Sequence, residues 1–564
     1  MQFKVQLTHP AQSDPDRTII ALSPTDTRWN DFGYNFHAYA KFIPNDHRDP
    51  IRVRLFVIPF DDNGKPETIF SKWHTEKSKI NTDRARARLE LPSTFNSMIA
   101  SEGDYQSLYN WCQTEREFHE ALEALHEISW LADQPGTFAE IARSTTASPA
   151  FQLGVIRTGA AYRAFRRGYA RSSLTKARIR EARVPFKFET HLDGFESAHK
   201  LSVTFHDVSI VSDRVHCIVG PNGTGKSRLL ASLVDRLSTQ ELWSGMEMSG
   251  GGAEAALPSY NRVLAYTSEE DGLLPTRLAS ASTLDYQHFR LTAPIRDPAR
   301  DNRDVSMARM LIDLVREEPG KDELDRYSLF KRSLGKHVDL STMCIPLRDD
   351  AKDVAVFQDA ESRKWVRFSE LNLMGEQRRL EVTAALDQHR ELSFFSHNGW
   401  PIRISSGQRA FTRFALHFLT FSDMGMLVIM DEPETHLHPN LISAFCLLLN
   451  DVLSLTSSIA LVATHSVFVV RESITSCNHI VRIDDEGKVV FEHVYMKTLG
   501  ASPTSLSISI FGDDLAKKYH AALVREISGL SLTMEQVIEK YGKYLSMDML
   551  MDIRSQIISK GSAQ

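Results

Sequence analysis

Cysteine is scarce in this 564-residue chain. The five (Cys112, Cys217, Cys344, Cys446 and Cys477) are scattered, odd in number and never spaced C-x-x-C. That excludes a disulfide framework and a cysteine-rich zinc site, and it fits a reducing compartment. Long apolar runs are also missing. The most apolar region, Phe411 to Met430, is interrupted by Arg413, His417 and Asp423, so no membrane span is expected. Met1-Gln-Phe-Lys-Val-Gln has no apolar core of the signal-peptide kind, and a cytoplasmic location follows as the default. No charge of one sign dominates, since the formal net charge is -6, which argues against a generally basic nucleic-acid coat. Sustained heptads are lacking too, so a long coiled-coil arm is not expected.

What is present centres on Gly220-Pro221-Asn222-Gly223-Thr224-Gly225-Lys226-Ser227, which matches G-x-x-x-x-G-K-[ST]. An apolar β-type run (Val215 to Val219) precedes it and a helical pattern follows, which is the context a phosphate loop needs. Its glycines let backbone N–H groups curl around a polyphosphate, and a helix N-terminus adds partial positive charge. Lys226 is placed to reach the β- and γ-phosphates of ATP, and the Ser227 hydroxyl to ligate Mg²⁺.

Met426 to Glu432 reads as a buried strand ending in two carboxylates. A rigid strand tip suits Asp431 for the Mg²⁺ shell and Glu432, one residue on, for orienting and deprotonating the attacking water. Ser405-Ser406-Gly407-Gln408 precedes an amphipathic helix and forms a second candidate anion-binding terminus. His465 follows the apolar run Ile459 to Thr464, where the end of a parallel strand faces the ligand crevice.

Around these motifs the chain divides by composition. Residues 1–100 are β-rich, with runs at Met1 to Leu7, Thr18 to Leu22, Tyr34 to Phe42 and Ile51 to Phe60 and a further extended candidate near Glu67 to Phe70, which suggests a small sandwich or barrel. Residues 101–184 are helical and become basic. The stretch Arg157 to Lys187 carries ten basic residues against one acid, Glu181, with Tyr162, Phe165 and Tyr169 interleaved. Such a run can track a nucleic-acid backbone or form a solvated or partner-docking face. Residues 185–271 and 391–510 hold the two halves of the nucleotide site, 272–390 a mostly helical insertion, and 511–564 terminal helices. Asp484-Asp485-Glu486-Gly487, between two strand patterns, reads as a hairpin turn.

Taken together, the phosphate loop, Ile404 to Gln408, Leu427 to Glu432 and Thr464-His465 resemble the motif order of ABC-type ATPases. The run Asp431-Glu432-Pro433-Glu434-Thr435-His436-Leu437-His438-Pro439 is similar to the OLD-like, soluble branch, related to SMC and recombination-repair ATPases. The resemblance implies an α/β fold with a mixed sheet. It also implies that Ser405 and Gly407 cap the γ-phosphate of ATP held by another subunit, that His465 contacts that phosphate, and that Pro433 to His438 cross the interface of a homo-oligomer, at least a dimer. The family pattern also accounts for His436 and His438, which otherwise suggest a metal pair. Two features depart from the family. The glutamine usual after Val263 to Thr267 is absent, with Ser268 or Glu269 standing nearby, and the Toprim nuclease domain of OLD nucleases has no counterpart. The layout is similar to ATPases of Septu-like and retron-associated anti-phage systems, which implies a separately encoded effector such as an HNH-type nuclease. The competing expectation is a DNA-binding clamp of repair or recombination.

Overall fold

The computed structural model describes residues 3–561 except 8–15, 26–32, 62–64, 81–94, 132–141, 143, 147, 159, 163, 166–167, 169–180, 207–211, 244–256, 261, 269–272, 279–283, 293–305, 317–324, 352–356, 372, 388–389, 485, 512–513 and 531. The chain forms two compact units, one from Met1–Arg180 with Ala293–Gly425 and the other from Glu181–Thr292 with Met426–Gln564.

In the first unit a five-stranded sheet runs in chain order: Phe3–Gln6, Thr18–Pro24, His37–Ile43, Ile51–Pro59 and Phe95–Ile99. The first pair is parallel and the rest antiparallel. Side chains alternate across the sheet. Val53, Leu55 and Val57 join one core with Phe70, Trp73, Tyr105 and Phe118, while Phe56 and Ile58 join a second with Ile128, Phe151 and Tyr162. The expected sandwich or barrel is therefore a single sheet with helices on both faces. The extended candidate at Glu67 to Phe70 instead leads into the helix Phe70–Ile80.

The insertion contributes helices Met307–Arg316 and Arg326–Leu334, as the helical reading anticipates. It also contains a four-stranded antiparallel sheet in the order Phe357–Gln358, Lys364–Arg367, Met343–Pro346, Ser393–Phe394. Strands of two to four residues are too short to display a period, which is why the sequence pattern misses them. The helix Ser406–Phe421 packs on Met307–Arg316 and Arg326–Leu334, so Ser405 to Gln408 belong to this unit.

The second unit is built on a seven-stranded mixed sheet in the order Tyr286–Arg290, Arg262–Thr267, Met426–Asp431, Ile459–Thr464, Val215–Val219, Asn478–Ile483, Val489–His493. All neighbours are parallel except the last pair, whose hairpin closes at Asp484 to Gly487, with Gly487 at φ 80°. The central strands are wholly buried, so they read as continuous apolar runs. Parallel pairing brings the carboxyl ends of Val215–Val219, Met426–Asp431 and Ile459–Thr464 to one edge, where ligands of open α/β sheets bind. An antiparallel pair, Phe186–Thr190 with His199–Val203, adjoins the sheet. Helices Asp514–Gly529, Met534–Tyr541 and Met547–Gly561 share a small core of Val524, Ile527, Val537 and Ile553. The fold class is thus mixed α/β with a phosphate loop, an insertion and a β-rich N-terminal region, as expected.

Candidate nucleotide site

The phosphate loop leaves the buried strand Val215–Val219 and enters the helix Lys226–Trp243. Gly223 and Gly225 take φ +85° and +86°, values that cost other residues a steric penalty. Gly220 is fixed for a different reason: a Cβ there would lie 2.3 Å from the Val481 carbonyl oxygen. His199, buried in the adjoining antiparallel pair, meets the Thr224 carbonyl oxygen through Nε2 at 2.9 Å, and the Phe195 ring meets His199 edge-on. The loop is therefore braced from behind by a segment that carries no motif of its own.

Lys226 Nζ donates to its own loop's carbonyls, Gly220 O at 2.9 Å and Pro221 O at 3.0 Å. Burial pulls this ammonium below its usual pKa, while Glu432, Asp431 and Glu434 act in the opposite sense. Among the described residues the hydrogen bonds of this buried cation go to carbonyl oxygens, an environment suited to pairing with an anion. The Ser227 hydroxyl donates to Asp431 Oδ1 at 2.7 Å, which joins the two halves of the site. These two hard oxygen donors suit Mg²⁺, which takes its remaining ligands from phosphate and water. Among the described residues no cluster of three His, Cys, Asp or Glu side chains offers an all-protein metal cage.

A cleft of about 500 Å³ opens here, lined by residues that include Phe195, Asn222, Lys226, Arg228, Leu273 and Glu432. The glycine-rich loop lines it through Asn222, Gly223, Gly225, Lys226 and Ser227, while Phe195, Leu273 and Arg228 add flat or apolar surface. Arg228 lies 5.9 Å from the Phe195 ring centroid and donates to Asp193 O at 2.6 Å. Sequence reasoning overlooked Phe195, His199 and Arg228. Arg228 was findable as the residue after the motif, but the other two become relevant only through tertiary packing.

Beyond Asp431 the backbone turns sharply. Glu432 adopts φ +48°, uncommon for a residue with a side chain, and its N–H donates to Ala463 O at 2.9 Å. Its carboxylate meets His465 Nδ1 at 3.2 Å. Glu434 is buried, and its Oε1 accepts from the Thr464 hydroxyl and from the His465 N–H at 3.2 Å, and it also lies 3.7 Å from His465 Nδ1. Burial raises the Glu434 pKa, opposed first by the Thr464 hydrogen bond. Within the run 433–438, Pro433 and Glu434 face inward, while Thr435, His436 and His438 are exposed. His438 serves as N-cap of Pro439–Leu455 through Nδ1. Where the usual glutamine is missing, the Ser268 hydroxyl donates to Thr435 Oγ1 at 3.3 Å; Glu269 lies outside the described residues.

The structure therefore gathers Gly220 to Ser227, Asp431, Glu432 and His465 in the second unit. Ser405, Gly407 and Gln408 lie in the first unit, at the start of Ser406–Phe421. There Ser405 and Gln408 form a capping box, with Gln408 N to Ser405 Oγ at 3.1 Å and Ser405 N to Gln408 Oε1 at 2.9 Å. Gln408 Nε2 also donates to His337 O at 2.6 Å.

Of the basic stretch, Arg163, Arg166, Arg167, Arg171, Lys176, Arg178, Arg180 and Tyr169 lie outside the described residues. Tyr162 is buried under the Arg316 guanidinium, 4.6 Å from its ring centroid, and Phe165 packs on Phe151. Arg183 is paired with Asp213 at 3.0 Å. Tyr162 is thus taken by the core rather than left for stacking on bases. No helix among the described residues is long and apolar enough to cross a membrane.

Residues 277–471 match a family model described as "AAA domain, putative AbiEii toxin, Type IV TA system". That span includes Ser405 to Gln408, Asp431-Glu432 and His465 but begins after the phosphate loop. A curated relative, protein ea59 of Escherichia phage lambda, is 26% identical over 189 residues, which make up 33% of this chain. The chain spans about a third of that relative's length, 35%. Among solved structures, a putative metal-chelate type ABC transporter in an inward-facing conformation aligns over 59% of this chain and 89% of its own, at 12% identity and a TM-score of 0.26. The SMC head domain from Thermotoga maritima aligns over 55% and 99%, at 15% identity and a TM-score of 0.22. In its motifs and their order, the chain is similar to P-loop ATPases of the ABC type.

Proposed function

We propose that this chain binds and hydrolyses ATP, assembles by sandwiching ATP between copies of itself, and thereby controls a separately encoded effector such as an HNH-type nuclease in anti-phage defence. One observation supports the ATPase reading above others: the Ser227 hydroxyl, the Asp431 carboxylate and Lys226 converge on a cleft that Glu432 also lines. In this reading the loop amides and Lys226 hold the β- and γ-phosphates, and Glu432 takes a proton from the attacking water. His465, tethered through Nδ1, faces the γ-phosphate. Mg²⁺ held by Ser227 and Asp431 would supply charge neutralisation at the phosphates. Ser405 and Gly407, at a helix N-terminus, serve the nucleotide of a second copy. The toxin–antitoxin wording of the matched family accords with a defence setting, which the cytoplasm would house.

Mixing two inactive variants tests the composite site. Lys226→Ala and Ser405→Ala should each fail to hydrolyse ATP alone, and their mixture should regain activity because a mixed dimer contains one intact site. If the mixture stays inactive while each variant folds, the site is complete within one chain. Co-purification of a nuclease encoded beside this chain tests the effector link.

A further inference from the structure

Glu434 is a buried acid that the mechanism above does not use. Its side chain is 5% exposed, and three of its contacts are with Thr464 and His465. Oε1 accepts the Thr464 hydroxyl and the His465 N–H, which are the last residue of the strand Ile459–Thr464 and the first beyond it. The same oxygen lies 3.7 Å from His465 Nδ1, so Glu434 and Glu432 flank one ring nitrogen. Oε2 is buried without a hydrogen-bond partner among the described residues. A carboxylate kept in that position at the cost of a buried, unmatched oxygen is constrained by what Oε1 holds.

Resting on the ATPase reading, we infer that Glu434 is a positioning residue: it clamps the end of the strand Ile459–Thr464 and the imidazole of His465, and through His465 it sets where the Glu432 carboxylate stands. His465 Nδ1 lies between the two carboxylates, 3.2 Å from Glu432 and 3.7 Å from Glu434, which restricts the orientation of the ring. Glu432 needs this support because its backbone is already in an uncommon conformation. Glu432 lines the cleft and Glu434 acts on it from behind, so loss of Glu434 misplaces Glu432.

The test compares the full-length parent with E434A, E434Q and T464V in steady-state ATP hydrolysis, equilibrium ATP binding and the ring resonances of ¹³C-labelled His465. Hydrolysis by E434A should fall about tenfold to a hundredfold in kcat, the scale of a misplaced reacting group, with ATP affinity nearly unchanged. E434Q should recover most of the rate, since an amide oxygen accepts the same two hydrogens. T464V should lie between, and the His465 resonances should move in E434A and T464V. A parent-like kcat in E434A, an equal loss in E434Q, or a loss of affinity parallel to kcat would overturn the inference. Should E434A not fold, T464V decides by the same criteria, because it removes one hydroxyl. Should the parent hydrolyse no ATP, the function reading fails on its own, and unmoved His465 resonances then sink the Glu434 role separately.

Discussion

Ser227 and Asp431 stand 204 residues apart in the chain, yet the Ser227 hydroxyl lies 2.7 Å from the Asp431 carboxylate. One belongs to the first turn of the phosphate-loop helix and the other to the tip of a parallel strand, so two rigid elements define the gap. Removing the hydroxyl in Ser227→Ala should raise the Mg²⁺ concentration needed for half-maximal hydrolysis by roughly tenfold or more, as losses around a metal site do. A Mg²⁺ titration of ATPase rate at saturating ATP checks it, and an unchanged midpoint would remove Ser227 from the metal shell.

Glu432→Gln should lower kcat by about 10²–10⁴-fold, the usual worth of a general base, while ATP still binds. The amide keeps an acceptor for His465 and imposes no new backbone demand at φ +48°. ATP should therefore hold an oligomer together in the variant, read as a larger species by light scattering with ATP than without. Hydrolysis at the parent rate would exclude Glu432 as the base.

Lys226→Ala should weaken ATP binding by roughly 10–100-fold, corresponding to about 1.5–3 kcal/mol for a charged hydrogen bond. Calorimetric titration with a non-hydrolysable ATP analogue measures it. Because Lys226 now spans Gly220 O and Pro221 O, some change in loop stability is also expected.

Gly220→Ala should lower thermal stability even without nucleotide. The added Cβ would lie 2.3 Å from a backbone oxygen of the neighbouring strand, and backbone gives way less readily than a flexible side chain. Overpacking of this kind costs about 1–3 kcal/mol, several degrees of Tm for a domain of this size. Calorimetry on the apo protein is the measurement, and an unchanged Tm would contradict the packing.

Stability should also fall in mild acid because of His216. It is fully buried, its Nδ1 is 3.2 Å from His479 Nε2, and burial pulls its pKa from 6.5 to about 4. The unfolded chain therefore binds a proton that the folded one refuses between those values. Stability from this group is complete above pH 6.5 and declines as pH falls to 4, by about 3 kcal/mol at most. His216→Gln should flatten the profile of Tm against pH across that window.

The candidate nucleotide site was legible because its parts are local. Gly220 to Ser227 needs only glycines that tolerate φ near +85°, a lysine and a hydroxyl, and the run Met426 to Glu432 shows a fully buried strand ending abruptly in acid. The hairpin at Asp484 to Gly487 was legible for the same reason. The small sheet of the insertion was not, since strands this short have no period to read. The helical pattern after residue 101 was legible, as in Glu102–Trp111 and Glu115–Ala124, but not that helices cover both faces of the N-terminal sheet. The alternation of Leu55 and Val57 against Phe56 and Ile58 supplies two apolar faces, but a run apolar at every position does not say what covers either one.

By itself the sequence determined a phosphate loop, a strand tip with two carboxylates and a histidine beyond a buried strand, because each is a short pattern whose chemistry follows from residue type and spacing. Tertiary structure alone decided which of them meet. Parallel pairing put residues 220–227, 431–432 and 464–465 at one sheet edge, and Thr464 and His465 gave the inward-turned Glu434 its donors. The same folding put Ser405 to Gln408 in the other compact unit. Pairing order is a long-range property that no local pattern encodes.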